Sequence, residues 1–460
     1  MAIISAYMVP HPPMIVPAVG RGSESSIEET TRAYIEVAKD IAEVKPDTII
    51  VTDPHTIMYA DYNHISPGDR AEGDLSSFGA PNIKFKEQYD KELVELIEKK
   101  AEKEEVFAGT LGERDPKLDH GIMVPLYFIR QYYKGGKIVR VGLSGLHYYD
   151  HYKLGMIISD AVTSLGRRAV AVASGDLSHK LKDDGPYGFD ENGPKYDEKI
   201  MDVFRRGALG ELLEFDESFC DKAAECGHKS FVIMAGMLDG LSVETRVLSH
   251  QDVTGVGYGI CMLQPQGTDD SRHFLDADLN KIKNELNDNY KKKDPYVNLA
   301  RAAIYEYVQN GKELEVPDNL PDEMISKRGG TFVSVHKFGD LRGCIGTIAA
   351  TRKNLAKEII GNAISAVSND NRFSPVTKNE LDYLEISVDV LSEAEDIDDM
   401  SMLDVKKYGV IVTSGSKRGL LLPDLEGVDS VEEQVRIARN KAGIGSNEKI
   451  SLKRFEVIRH

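Results

Sequence analysis

The chain has 460 residues, of which 41% are hydrophobic and 29% charged, and its formal net charge is −18 at pH 7. This length exceeds one ordinary hydrophobic core, so we expect a globular protein of two or three domains. The negative charge argues against a general binder of nucleic acids or anionic membranes, since both need a basic surface. No stretch approaches the about 20 apolar residues of a membrane-spanning helix, and no secretory signal opens the chain. Four cysteines without metal-finger spacing favour a reducing cytoplasm.

The first 265 residues alternate between strand and helix patterns, which predicts an α/β domain with a central sheet flanked by helices. The predicted strands lie at 2–9, 47–51, 137–144 and 168–174, and the predicted helices at 25–44, 88–104, 152–165, 198–214 and 229–238. A glycine-rich polar stretch at 59–82 is long for a structureless connection, so it predicts a lid or a substrate loop.

Composition changes after residue 265. Residues 266–293 are polar and charged, with leucines and isoleucine at helical spacing, so they predict a linker helix. Residues 294–460 mix helices with strands that look antiparallel, including a hairpin around 414–418, which predicts a smaller α+β domain.

Histidines follow the ends of three predicted strands. His11 stands in Val-Pro-His-Pro-Pro, His55 in Asp-Pro-His, and His179 in Gly-Asp-Leu-Ser-His. Open α/β sheets place their ligand sites at strand ends, so His11 and His55 suggest one metal site. Glu225, in Ala-Ala-Glu-Cys-Gly-His, is the best further ligand, although a carboxylate before a helix also serves as a helix N-terminal group. Two imidazoles and one carboxylate are typical of non-haem Fe(II) oxygenases.

These motifs, with Leu-Asp-His-Gly at 118–121, resemble in order those of the class III extradiol dioxygenases, the LigB/DODA-type family, and of the related Memo family. The resemblance implies that His11, His55 and Glu225 bind Fe(II). It implies that His120 and His179 act as acid and base, with Asp176 orienting His179. The substrate would be a small aromatic diol, cleaved with O2 beside its hydroxyl groups.

One departure leaves the third ligand open. Proteins of the Memo type have a cysteine near a Cys-Gly pair at this position, and here Glu225 and Cys226 are adjacent. A thiolate from Cys226 would favour Zn(II), copper or another metal over iron and would put dioxygenase chemistry in doubt.

The second domain resembles the AMMECR type through Leu-Arg-Gly-Cys-Ile-Gly at 341–346 and Asn-Asp-Asn-Arg-Phe-Ser-Pro at 369–375. We interpret Arg342 and Cys344 as part of a tight glycine turn that an anion can approach. Cys344 is a candidate nucleophile, but a small structural thiol is the stronger interpretation. Arg372 is as well explained by an ion pair with Asp370 as by ligand binding.

A fusion of these two domains resembles the AmmeMemoRadiSam system proteins, which implies a radical SAM partner. The chain lacks the clustered cysteines of an iron–sulfur protein, so such radical chemistry would lie in the partner. Three functions remain open: an Fe(II) extradiol-type dioxygenase, a Memo-type metal-binding protein without that activity, and a Zn(II)-dependent hydrolase. We also expect a homo-oligomer, and no nucleic-acid or membrane partner.

Overall fold

The computed structural model describes residues 2–112, 117–292, 294–425 and 427–460. The chain divides into two compact units, Met1–Asp278 and Leu279–His460. The division falls inside the stretch 266–293 for which the sequence predicts a linker helix, and a helix is present there at Phe274–Lys292. Lys293, the last residue of that stretch, lies outside the described residues.

The first unit alternates strands with helices, as predicted. Its strands are β1 (Ile3–Val9), β2 (Thr48–Asp53), β3 (Asn63–His64), β4 (Arg70–Leu75), β5 (Ala80–Gln88), β6 (Ala108–Gly109), β7 (Lys137–Gly142), β8 (Ala169–Ser174), β9 (Leu241–Gln251) and β10 (Tyr258–Thr268). Its helices are α1 (Pro17–Gly20), α2 (Glu28–Val44), α3 (Lys91–Lys103), α4 (His120–Tyr132), α5 (Tyr148–Ser164), α6 (Asn192–Arg206), α7 (Glu217–Ala223) and α8 (His228–Met237), followed by α9 (Phe274–Lys292).

The central sheet of this unit has the strand order β7-β2-β8-β1-β10-β9. The strands β7, β2, β8 and β1 are parallel, whereas β10 and β9 run antiparallel to their neighbours. Every residue of β2 and β8 is buried, which explains why the sequences of these strands are almost continuously apolar. Helices α2 and α4 share one hydrophobic core with residues of β1, β2 and β8. The predicted α/β domain is confirmed.

The parallel register decides where the strand-end residues meet. Val9 pairs with Ser174 at the ends of β1 and β8, and Thr52 pairs with Ala173 near the ends of β2 and β8. The residues that follow these strands therefore emerge at one edge of the sheet.

The glycine-rich stretch 59–82, predicted to be a lid or a substrate loop, contains regular strands. It contains β3 and β4, and β4 pairs antiparallel with β5 in a hairpin. Charged residues and a glycine in β4 hide the strand signal, because such residues are disfavoured in strands. Ala71, Leu75 and Phe85 of this hairpin pack into the core of the unit, and that tertiary contact stabilises the strands.

The second unit is the predicted α+β domain. Its helices are α10 (Pro295–Asn310), α11 (Asp322–Ser326), α12 (Leu355–Ser368) and α13 (Val431–Lys441). Its strands are β11 (Thr331–Lys337), β12 (Asp340–Gly346), β13 (Leu384–Leu391), β14 (Glu395–Ile397), β15 (Tyr408–Ser414), β16 (Lys417–Leu421) and β17 (Ser451–Arg459). They form one antiparallel sheet in the order β12-β11-β13-β17-β15-β16, with β14 on β17. None of the helices in the described part of the chain combines the length and the hydrophobicity that crossing a lipid bilayer requires.

Candidate metal centre

Three side chains converge at the edge where the parallel strands end. They are His11, which follows β1, His55, which follows β2, and Cys226, which lies between α7 and α8. Their ligand atoms all lie within 4.8 Å of one another. His11 is buried, Cys226 is half-buried and His55 is exposed, so the group opens to solvent on the side of His55. The predicted meeting of His11 and His55 is present.

The separations within this group suit one metal ion. His11 Nε2 lies 2.9 Å from His55 Nε2 and 3.6 Å from Cys226 Sγ. Protein zinc sites have metal–nitrogen bonds of about 2.0–2.1 Å and metal–sulfur bonds of about 2.3 Å. Both separations are shorter than the sum of the two bonds concerned, so a single ion can reach each pair of donors. Imidazole nitrogen and thiolate sulfur are donors that transition metals accept.

A hydrogen bond to Ser174 determines which ring nitrogen of His11 carries the proton. Its hydroxyl donates to the carbonyl oxygen of Gly121 at 2.6 Å, so Ser174 Oγ accepts from His11 Nδ1, which is 3.0 Å away. Nδ1 therefore carries the proton, and Nε2 directs its lone pair toward the other donors. Such a bond to the far nitrogen is typical of metal-binding histidines. Sequence reasoning missed Ser174, whose only signal is a small polar residue at a strand end.

Electrostatics favours the neutral form of the histidines. Burial and the nearby imidazoles lower the pKa of His11 well below 6.5, and burial lowers the pKa of His55. Burial, with the negative charges of Asp176 and Glu225, raises the pKa of the Cys226 thiol well above 9.0. The two imidazoles can bind a metal as they stand, whereas the thiol must first lose its proton.

Glu225, predicted as the third ligand, is not part of this group. Its Oε2 accepts a hydrogen bond of 2.6 Å from the backbone N–H of His228, the first residue of α8. The carboxylate thus satisfies a free donor at the helix N-terminus, the structural role that the sequence had left open. Burial raises the pKa of Glu225 to about 7. Cys226 occupies the place that was expected for Glu225.

Asp176 lies beside His11 and not in a bond with His179. Its Oδ1 accepts from the backbone N–H of His11 at 2.7 Å, and its own N–H points to Cys226 Sγ at 3.3 Å. Asp176 therefore connects two of the three donor residues. Burial raises the pKa of this carboxyl to about 7. No hydrogen bond joins Asp176 to His179 among the residues that the structure describes.

His120 and His179, the two predicted acid–base residues, lie next to the group of donors. The His120 ring stacks on His55 with centroids 4.1 Å apart and meets His11 edge-on at 5.3 Å. The His179 ring stacks on Tyr187 at 5.0 Å. Burial and the neighbouring His55 lower the pKa of both His120 and His179 to about 4. Both imidazole rings are therefore uncharged at neutral pH, each with one N–H group and one nitrogen that can accept a proton.

A buried ion-pair network holds His55 and His120 in place. Asp53 Oδ1 accepts from the backbone N–H of His55 at 3.0 Å, and Asp119 Oδ1 accepts from Gly121 N–H at 2.7 Å, which caps α4. Arg140 of β7 lies between the two carboxylates, 2.5 Å from Asp119 and 3.9 Å from Asp53. The network joins β2, β7 and α4 beneath the two imidazoles.

A cavity of about 860 Å³ has His120 in its wall. Its apolar lining includes Phe78, whose ring meets His120 edge-on at 5.3 Å, and Leu118 and Met123. Phe78 lies at the tip of the β4–β5 hairpin, within the stretch 59–82 that was predicted to contact substrate. This cavity is large enough for a small organic molecule next to the imidazoles.

The Leu-Arg-Gly-Cys-Ile-Gly motif of the second unit lies in a strand rather than in a tight turn, which corrects that prediction. Arg342 and Cys344 belong to β12, and Arg342 binds Glu380 at 2.8 Å. The backbone N–H of Cys344 donates to Asp370, and the Ser334 hydroxyl donates to the Cys344 sulfur at 3.2 Å. Arg372 pairs with Asp370 at 2.6 Å, the structural role that was one of its two interpretations.

Comparison with known proteins places the chain in a family. Residues 5–261 match the family described as the catalytic LigB subunit of aromatic ring-opening dioxygenase. The chain belongs to the LigB family. Residues 297–460 match the AMMECR1 family, so a LigB-type domain is joined to an AMMECR1 domain, as the sequence predicts.

Relatives match either the whole chain or about a third of it. A protein of Clostridium acetobutylicum is 43% identical over 478 residues, which cover 100% of this chain and 99% of its own. A protein of Thermotoga maritima is 52% identical over 168 residues, 36% of this chain and 97% of its own. The crystal structure of an uncharacterized protein from Pyrococcus horikoshii is 32% identical, covers 36% of this chain and 88% of that chain, and has a TM-score of 0.33.

Proposed function

We propose that this LigB-family chain is a metal-dependent oxidoreductase that opens the ring of a small aromatic diol with O2. The observation that carries the proposal is the position of two further neutral imidazoles, His120 and His179, beside the metal-binding group of His11 and His55. The cavity at His120 gives a substrate a place next to these side chains. The AMMECR1 domain is proposed as an accessory domain.

The proposed roles follow from what each side chain touches. His11, His55 and Cys226 would hold the metal, with Ser174 and Asp176 fixing the position of His11. A redox-active metal bound there supplies the electron path between the diol and O2. His179 and His120 carry free lone pairs at neutral pH and would accept protons from the diol. Phe78 would pack against the ring of the substrate.

Cys226 supports a second candidate function. Two histidines and a carboxylate are typical of Fe(II) oxygenases, whereas a thiolate also suits copper and zinc. A Memo-type metal-binding protein without ring-cleaving activity is therefore the alternative, and Cys226 is the observation that favours it. Iron is the metal proposed for the first function, and copper or zinc for the second.

Partners remain proposals. The pairing of the two domains supports a radical SAM partner, and the four cysteines of the chain lack the close spacing of an iron–sulfur motif. Association of identical chains and a cytoplasmic location are likewise proposed.

Metal analysis of three variants tests the centre. After anaerobic purification we expect about one metal ion per chain in the wild type, since the three donors surround one position. His11→Ala and Cys226→Ala should lose it, while Glu225→Gln should retain it because the amide oxygen still accepts from His228. Elemental analysis by mass spectrometry gives the metal and its amount. If Cys226→Ala keeps the metal and Glu225→Gln loses it, then Glu225 and not Cys226 is the third ligand.

Oxygen uptake separates the two functions. The iron-loaded protein should consume O2 with catechol or a substituted catechol, and a yellow ring-opened product should absorb in the visible. A protein that binds copper or zinc tightly and leaves every catechol unchanged supports the Memo-type alternative.

A further inference from the structure

Strand β9 is an open edge of the central sheet. It runs over 11 residues, Leu241–Gln251, and its one neighbour in the strand order is β10. Among the described residues, no backbone hydrogen bond or bridge joins 242–250 to any segment other than β10. The opposite edge of the sheet is covered, because Ile65 and Tyr89 form bridges to β7. The outer side of β9 is therefore open for backbone pairing.

The usual protection of an open edge is missing from β9. Natural sheets guard such edges with proline, with lysine or with very short strands. The sequence of β9, Leu-Ser-Val-Glu-Thr-Arg-Val-Leu-Ser-His-Gln, contains neither proline nor lysine. Its register against β10 is uninterrupted from Val243 to Val247, and the irregularities lie outside this segment. Val247 is 36% exposed. The segment Val243–Val247 is thus a regular, accessible strand that can accept another strand beside it.

The side chains of this segment divide between the two faces of the sheet. Arg246 binds a glutamate of α2 at 2.7 Å, and the Thr245 hydroxyl donates to a backbone carbonyl of α6 at 3.0 Å. Because side chains alternate along a strand, Glu244 shares the α2 face with Arg246. Val243 and Val247 share the α6 face with Thr245. One face of the segment is therefore charged with both signs, and the other is β-branched throughout.

The segment is complementary to itself. If two copies pair antiparallel around a two-fold axis at Thr245, each Glu244 lies opposite Arg246 of the partner subunit. Each Val243 then lies opposite Val247 of the partner subunit, and the two threonines meet at the axis. Opposite charges, β-branched pairs and threonine pairs all stabilise an antiparallel pair of strands. Every cross-strand pair of the segment is favourable in this register.

The neighbouring registers are unfavourable. A shift of two residues places Glu244 opposite Glu244 or Arg246 opposite Arg246, and like charges opposite each other destabilise the pair. A shift of one residue exchanges the two faces and places a valine opposite a charged residue. The sequence of β9 therefore favours one way of pairing with itself over the others.

We propose that β9 is a self-association surface, on which two copies of this chain pair antiparallel about Thr245 and join their central sheets. The same segment serves both copies, so the contact closes at a dimer and does not continue into a fibre. This gives the proposed association of identical chains a defined surface. β9 contributes no donor to the metal centre, so the inference is independent of the proposed oxidoreductase function.

Charge reversal on β9 tests the proposal. Sedimentation velocity of the whole chain at micromolar concentration should show a dimer for the wild type. Glu244→Arg places arginine opposite arginine, and Arg246→Glu places glutamate opposite glutamate. Each variant alone should shift to monomer, with a dissociation constant raised about ten-fold. Arg436→Glu is the matched control, because it reverses an exposed arginine of α13 that also has a surface ion pair, and it should remain dimeric.

A mixture of the two variants makes the result decisive. Together, Glu244→Arg and Arg246→Glu bring opposite charges to both positions, so the mixture should form a dimer that neither variant forms alone. The double variant Glu244→Arg/Arg246→Glu should dimerise by itself for the same reason, and melting temperatures check that each variant is folded. A monomeric wild type, single variants as dimeric as the wild type, or folded variants whose mixture stays monomeric would each overturn the proposal.

Discussion

His179 lies beside the three donor residues of the metal centre without joining them. Its ring stacks on the exposed Tyr187, and its backbone N–H donates to Ala223. The ring influences His11 and His55 through charge rather than through a hydrogen bond. Its acid–base role stays a prediction from the family resemblance, and Asp176, which was expected to orient His179, bonds to His11 instead.

His179→Ala should keep the metal and lose turnover. General acid–base residues contribute about 10²–10⁴-fold to rate, so a loss of that size is expected on any diol that the wild type turns over. Elemental analysis and oxygen uptake on the same preparation check both halves. His11→Ala is the comparison, since it should lose the metal itself. If His179→Ala loses the metal as fully, His179 is a ligand, and if its turnover is normal, His120 becomes the next acid–base residue to test.

At the scale of elements, the metal centre depends on a close approach of two turns. A Cβ added at Gly175, after β8, would lie 2.1 Å from the Cα of Gly227, before α8. The turn after β8 carries Asp176, and the turn before α8 carries Cys226. Only glycine at both positions lets these turns approach closely enough to bring Cys226 to His11.

Gly175→Ala should destabilise the first unit and weaken metal binding. Forcing a methyl group into a packed contact typically costs about 1–3 kcal/mol, and here the displaced turn carries a donor residue. Calorimetric melting and metal content are the measurements. Gly267→Ala is the control, because a Cβ there meets no atom within 4 Å and its backbone is ordinary. Full metal content in a stable Gly175→Ala protein would show that the turn tolerates the shift.

At the scale of the whole molecule, the two units have separate cores and separate sources of stability. The second unit contains a largely buried network in which Glu380 binds Arg342 at 2.8 Å and lies 3.5 Å from Lys337. Burial alone would raise the pKa of Glu380, but the hydrogen bond from Arg342 and the charge of Lys337 lower it below 4.5. Folding of this unit is therefore linked to pH.

The second unit should lose stability as the pH falls below about 4.5. The unfolded chain binds the proton of Glu380 at higher pH than the folded chain does, so stability is full above the unfolded pKa and declines as the pH falls through the folded pKa. Differential scanning calorimetry between pH 3 and 7 measures this decline. Glu380→Gln should be less stable at pH 7 and should show a smaller decline. Glu385→Gln, an exposed residue of β13, should behave as the wild type, and an equal decline in Glu380→Gln would contradict the assignment.

The class of fold and most of the site were accessible from sequence for local reasons. Buried parallel strands read as apolar runs, and prolines and glycines mark their ends, so His11, His55 and His179 could be placed at one sheet edge. The β4–β5 hairpin was not predictable, because its strands are stabilised by contacts of Ala71 and Leu75 with a distant core.

What the sequence by itself determined is that two strand-end histidines of an α/β domain meet near residues 225 and 226. Which of these two neighbours faces the histidines was decided by tertiary structure. Ala224 ends α7 in the left-handed conformation, with φ of 52°, and Glu225 then turns to the N-terminus of α8. The Cys226 side chain lies next to His11 because Gly227 packs against Gly175. Both determinants depend on how α7, α8 and β8 pack together, and residues far apart in sequence carry no local signal of such packing.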